Sequence, residues 1–136
     1  MIPFFFFKFS SSILLKLFIN DQLIDSDRYV LDSETLTIPH FCGGKLRIET
    51  ITDPSKNTNL SGLYLSESGL YTQCEAEGFR NITYFIDRPD ILAKYTVHIH
   101  AQRKVFPVLL SNGNLIKESF NENTGILSRV WEDPFP

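Results

Sequence analysis

The chain has 136 residues, 43% hydrophobic and 21% charged, which suits one globular domain and leaves little room for two. Thirteen basic against sixteen acidic side chains give a formal charge of −3, so no basic field exists to hold a nucleic-acid backbone, and that partner class is excluded. Twelve Phe and five Tyr favour strands, while only two cysteines, Cys42 and Cys74, occur, in neither a metal-ligand spacing nor a disulfide framework; a reducing setting is expected, cytoplasmic with an organelle as the alternative.

The chain opens on "MIPFFFFKFSSSILLKLF". Lys8 and Lys16 interrupt this apolar start, and neither uncharged run reaches the roughly 18 residues of a membrane span. It also lacks the basic start and small-residue cleavage site of a signal peptide. "LLKLF" then leads through Asn20-Asp21, a hairpin turn, into "QLI". "YVL" and "LTI" follow, separated by the polar Asp32-Ser33-Glu34. After Gly43-Gly44, the run "KLRIETI" places Leu46, Ile48 and Thr50 on one face of a strand. Asp53-Pro54-Ser55 reads as a turn.

"GLYLS" and "GLYTQCE" repeat one pattern across Glu67-Ser68-Gly69, the strongest hairpin signal in the chain. Asp87-Arg88-Pro89-Asp90 is a turn, because the Pro89 ring disfavours the helical region for Arg88. In "AKYTVHIHA", Tyr95, Val97 and Ile99 face one way, and Lys94, Thr96, His98 and His100 the other. Ser111 to Asn114 marks a reversal between "VLL" and "LI", and "GILSRVWED" makes a last strand. No stretch sustains a helical period with caps at both ends. The expected fold is all-β, with saddle-like or sandwich sheets, antiparallel or mixed.

Candidate chemistry is sparse. His98 and His100 share a strand face, but zinc wants three or four ligands and no third is identifiable, so a solvated surface is the simpler reading. His40 and Cys42 lie two apart near the glycine pair, where an ordinary loop cysteine is the default. The sequons at Asn59-Leu60-Ser61 and Asn81-Ile82-Thr83 matter only in a secreted chain. Gln73 and Glu75 remain. On a strand, a period of two puts both on one face, with Thr72 and Cys74 on the other. A carboxylate beside a side-chain amide suits an ammonium group, since one accepts and the other both donates and accepts. Taken alone, such a pair is more often a solvated face.

The strings "TQCEAEGFR", "ITYFIDRPD", "LLSNGN" and "WEDPFP", in that order, resemble the N-terminal domain of the aminopeptidase N family, gluzincin zinc metallopeptidases, in its bacterial-type branch. The likeness weakens towards Leu15 and does not reach Met1 to Ser12. It implies a tip over residues 1–14 and a partial N-terminal β-domain over 15–136. It also implies that the complete enzyme removes N-terminal amino acids from peptides, with zinc in a separate domain. On this resemblance Glu75 helps to hold the substrate α-amino group, and Gln73 lines the pocket for the first residue.

The His-Glu-x-x-His motif and the Gly-Ala-Met-Glu-Asn loop of that family are absent from these 136 residues. The chain is therefore expected to carry no catalytic residue and no metal or cofactor site, and to be inactive alone. Its expected partners are a peptide N-terminus and a complementing catalytic polypeptide. As a fragment starting part-way into the domain, it would leave sheet edges uncovered, one of which the phenylalanine-rich start could cover. The competing expectation is a stand-alone β-sandwich interaction module without catalysis.

Overall fold

The computed structural model describes the backbone of residues 4–8 and 12–136, and side chains from residue 13 onward. The readings of the tip's side chains, and of residues 1–3 and 9–11, lie outside the described residues. The chain divides into two compact units, Met1–Pro89 and Asp90–Pro136.

Among the described residues the first unit carries eight strands: β1 (Phe4–Lys8), β2 (Ser12–Ile19), β3 (Gln22–Leu23), β4 (Val30–Leu31), β5 (Thr35–Pro39), β6 (Leu46–Thr52), β7 (Gly62–Ser66) and β8 (Gly69–Gln73). They form sheets in the orders β1-β5-β4, β3-β2-β6 and β7-β8. Asn20 and Asp21 both take positive φ, 50° and 65°, which is what a two-residue turn with the twist of its strands requires. The Asn20 side-chain oxygen accepts from Lys45 N at 3.0 Å, and Asn20 N donates to Lys45 O at 2.8 Å, tying the turn to the start of β6. Asp32 closes the β4–β5 link, its carboxylate accepting from Glu34 N, Thr35 N and the Thr35 hydroxyl at 2.6–2.7 Å. β1 pairs antiparallel along the whole of β5, from Phe4↔Pro39 to Lys8↔Thr35. The phenylalanine-rich start does run along a sheet edge.

Alternation puts Leu36 and Ile38 of β5 in the interior, where they join Leu17, Ile24, Phe41 and Tyr84. Leu46 and Ile48 of β6 pack against that cluster from the face anticipated for them. Tyr84 belongs to the run Ile82–Ile86, which is irregular apart from one bridge yet supplies a core side chain.

The second unit is a three-stranded antiparallel sheet, ordered β10-β11-β9, from β9 (Tyr95–Gln102), β10 (Asn114–Asn121) and β11 (Ile126–Asp133). In β9 the half-buried and exposed positions alternate as read, with Tyr95, Val97 and Ile99 half-buried and His98 and His100 exposed. The segment "VLL" differs from expectation. It forms no strand, because Pro107 brings no N–H to a ladder and the Leu109 carbonyl accepts instead from Arg129 Nη1 at 3.1 Å. The strand begins at Asn114 and runs to Asn121, and all eight of its positions are exposed. Among the described residues every strand pairing is antiparallel, so the fold is all-β and the mixed-sheet alternative is not realised. No helix among them is long and apolar enough to cross a membrane.

Candidate functional site

Gln73 closes the β7–β8 hairpin opposite Gly62, in a register that also pairs Ser66 with Gly69 and Tyr64 with Tyr71. The two tyrosine rings stack at 6.1 Å between centroids, and Ser68 Oγ lies 2.7 Å from the Tyr71 hydroxyl. The hairpin is thus stiffened from its turn to the strand end that presents Gln73.

The strand stops at Gln73, and Glu75 lies in the turn that follows. The period-two argument for a common face therefore does not apply to this pair. Glu77 takes a positive φ of 63°, and Gly78 N donates to Cys74 O at 2.7 Å, so the chain folds back on itself before another strand residue can pair. This turn joins the two residues in another way, with Gln73 Nε2 donating to the Glu75 backbone carbonyl at 3.2 Å. Gln73 and Glu75 are exposed, while Cys74 between them is half-buried. No described side chain pairs with the Glu75 carboxylate, which leaves it able to accept from a cation.

Close packing beneath the turn restrains it. A Cβ on Gly78 would stand 2.6 Å from Gln73 O and 2.7 Å from Cys74 Cα, so only glycine lets the chain approach the strand end this closely. Gly62, on the paired strand, takes φ +79°, and a Cβ there would stand 2.6 Å from Asn81 Cβ. Asn81 Nδ2 donates to Ser61 Oγ at 2.8 Å, and the Phe79 and Phe85 rings meet edge to face at 4.6 Å.

Arg80 and Asp87 are joined by three hydrogen bonds. Asp87 Oδ2 accepts from Arg80 N at 3.0 Å and from Arg80 Nε at 3.3 Å, and Arg80 Nη2 donates to Asp87 O at 2.5 Å. Both side chains are only 17% exposed, so water screens the pair far less than a surface one. Arg80 Nη1 also lies 3.3 Å from the Glu77 carboxylate, inside the turn itself. Burial, and secondarily the Asp87 charge, push the Cys74 thiol above its usual value. The sequence reading passed over Arg80 and Asp87. The available signal was the pairing of "GFR" with a downstream "DRPD", in which Asp87 reads first as a turn residue.

The other candidates do not assemble. His98 and His100 lie with ring centroids 6.5 Å apart, and His100 Nδ1 is 2.7 Å from Ser128 Oγ. Cys42 Sγ donates to the His40 carbonyl at 3.4 Å, and both residues line an open cavity of about 440 Å³ with Asp27 and Arg28. Cys42 and Cys74 are free thiols.

The model of the peptidase M1 N-terminal domain matches residues 16–136. The chain belongs to that family. It is 44% identical over 117 residues to the aminopeptidase N of Haemophilus influenzae, covering 86% of this chain and 13% of that protein. With the aminopeptidase N of Caulobacter vibrioides it is 46% identical over 124 residues, 90% of this chain and 14% of that one. The crystal structure of Legionella pneumophila aminopeptidase A in complex with aspartic acid matches with a TM-score of 0.88 at 33% identity, over 98% of this chain and 16% of that one. The chain thus spans about a seventh of the length of the curated relatives it matches. Among the described residues no three His, Cys, Asp or Glu side chains gather as a metal site, so these residues do not fit one.

Proposed function

We propose that this chain is the substrate-anchoring part of a zinc-dependent aminopeptidase, holding the free α-amino end of a peptide while a separate catalytic polypeptide or domain breaks the bond. The Glu75 carboxylate accepts from the substrate ammonium group. The Gln73 amide, tied to the Glu75 carbonyl, lines the pocket for the first side chain. Such an anchor places the first peptide bond in register with the bond-breaking groups, and positioning of this kind lowers the barrier without the anchor touching the reacting atoms. A zinc held by the catalytic polypeptide, and not by these residues, would supply the activated water for bond cleavage. The cytoplasm is the compartment that suits the two free thiols.

The observation that carries this reading is the exposed Glu75 on a turn whose backbone is gripped by the Gln73 amide at 3.2 Å. An exposed carboxylate on a restrained turn is a preorganised acceptor, and one on a loose loop is not. The Legionella relative, bound to an amino acid, is consistent with recognition of a free ammonium group.

The test is Glu75→Gln in a complete aminopeptidase carrying this segment, with kinetics on peptides bearing free and acetylated amines. A charge-assisted contact is worth about 1.5–3 kcal/mol, so kcat/KM on free-amine substrates should fall by roughly 10- to 150-fold, with blocked substrates little changed. Equal rates for wild type and variant on free amines would refute the anchor.

A further inference from the structure

We propose that Arg80 and Asp87 are positioning residues for the Gln73–Glu75 anchor, a role that rests on the reading just given and extends it to two residues with no substrate contact. The turn bearing Glu75 is exposed and crosses from β8 to the segment that ends at Asp87. A carboxylate on such a turn would sample many positions unless something buried held the chain on its far side.

Arg80 supplies that hold in three directions. Its backbone N–H and Nε both donate to Asp87 Oδ2, at 3.0 and 3.3 Å. Its Nη2 donates to the Asp87 backbone carbonyl at 2.5 Å. Its Nη1 reaches back 3.3 Å to Glu77, two residues beyond Glu75 in the same turn. One guanidinium therefore fastens the turn to the downstream segment through separate N–H groups in one rigid plane, a geometry a lysine ammonium cannot reproduce. Burial, and secondarily the Asp87 charge, raise the thiol pKa of Cys74, the residue between Gln73 and Glu75. Gly78 packs closely against the Gln73 carbonyl, and its N–H donates to Cys74 O at 2.7 Å.

The contact made by Glu75 with an ammonium group is sensitive to small displacements. A shift of about 1 Å in a positioning group costs up to roughly a hundredfold in rate. Loosening the brace should therefore mimic loss of the carboxylate, through Glu75 and not through the reacting atoms.

Two measurements test this. In a complete aminopeptidase carrying this segment, Arg80→Met, Asp87→Asn, Glu75→Gln and the Arg80→Met/Glu75→Gln double variant are compared on free-amine peptides. Arg80→Met should raise KM in the same proportion to kcat as Glu75→Gln, by about tenfold or more, and the double variant should be no worse than Glu75→Gln alone. Arg80→Lys should rescue only part of the loss. Simple loss of folded enzyme would lower kcat and leave KM in place. On this chain itself, in a Cys42→Ser background, the Cys74 thiol should react faster with a disulfide reagent in Asp87→Asn and Arg80→Met than in the parent. If Glu75→Gln impairs free-amine substrates while Arg80→Met and Asp87→Asn leave KM and the Cys74 rate unchanged, the brace is refuted and the anchor stands. Multiplying effects in the double variant would also refute it. If Glu75→Gln itself has no effect, the anchor reading falls and takes this inference with it.

Discussion

Gly78 sits where a methyl group has no room. The atoms its Cβ would meet, Gln73 O and Cys74 Cα, belong to the backbone and cannot rotate away. Gly78→Ala should cost about 1–3 kcal/mol by overpacking, read as a lower urea midpoint, and should move the amide shifts of Gln73 and Cys74. Two aspartates give the fold a pH dependence. Asp32 is held below the usual carboxylate range chiefly by the Thr35 hydroxyl, and Asp53 chiefly by the Ser55 hydroxyl. A depressed folded-state pKa means stability that is present above the unfolded value, near ~3.9, and is lost as pH falls through the lower folded value. Thermal midpoints should therefore drop on acidification below about pH 4, and Asp32→Asn or Asp53→Asn should flatten that drop. A midpoint independent of pH in that window would show that the two turns contribute nothing. Gln73 and Glu75 were singled out by residue type and string. Their joint geometry was not legible, because β8 ends at Gln73 and Glu75 lies in a turn where a period of two has no meaning.

Hairpins with tight turns were the elements most open to sequence reading. Asn20-Asp21 and Glu67-Ser68 are local signals, and each links antiparallel strands, with Ile19 opposite Gln22 and Ser66 opposite Gly69. The alternation in "AKYTVHIHA" was equally plain, because one face of β9 is half-buried along its length. β10 was read only as "LI", since a strand exposed at all eight positions leaves no burial period to follow. "VLL" misled for the opposite reason, being apolar but deprived of a ladder after Pro107. At this scale the Asn20 turn invites a test. Asn20→Val forces a β-branched residue into positive φ and removes the acceptor for Lys45 N, and should destabilise by about 2 kcal/mol, whereas Asn20→Gly should cost less. Equal denaturation midpoints for the two variants would contradict this account of the turn.

Across the whole molecule, the family match covers residues 16–136, and the anchor and its brace fall inside it. The first unit holds a buried cluster built from β2, β5 and the segment around Tyr84, and the anchor's turn precedes that segment directly in the chain. On the function proposed above, recognition and bond cleavage belong to different parts of the enzyme. The purified chain should retain no stoichiometric zinc after dialysis and should not hydrolyse aminoacyl substrates. Tight zinc binding or measurable turnover by the chain alone would overturn that division.

The measurement that bears most directly on the anchor is a crystal structure of a complete aminopeptidase carrying this segment, with a free amino acid bound. The ammonium nitrogen should lie about 2.7–2.9 Å from a Glu75 carboxylate oxygen, the span of a charge-assisted hydrogen bond, with Gln73 beside the amino-acid side chain. An ammonium group held entirely by other residues, with Glu75 facing solvent, would contradict it.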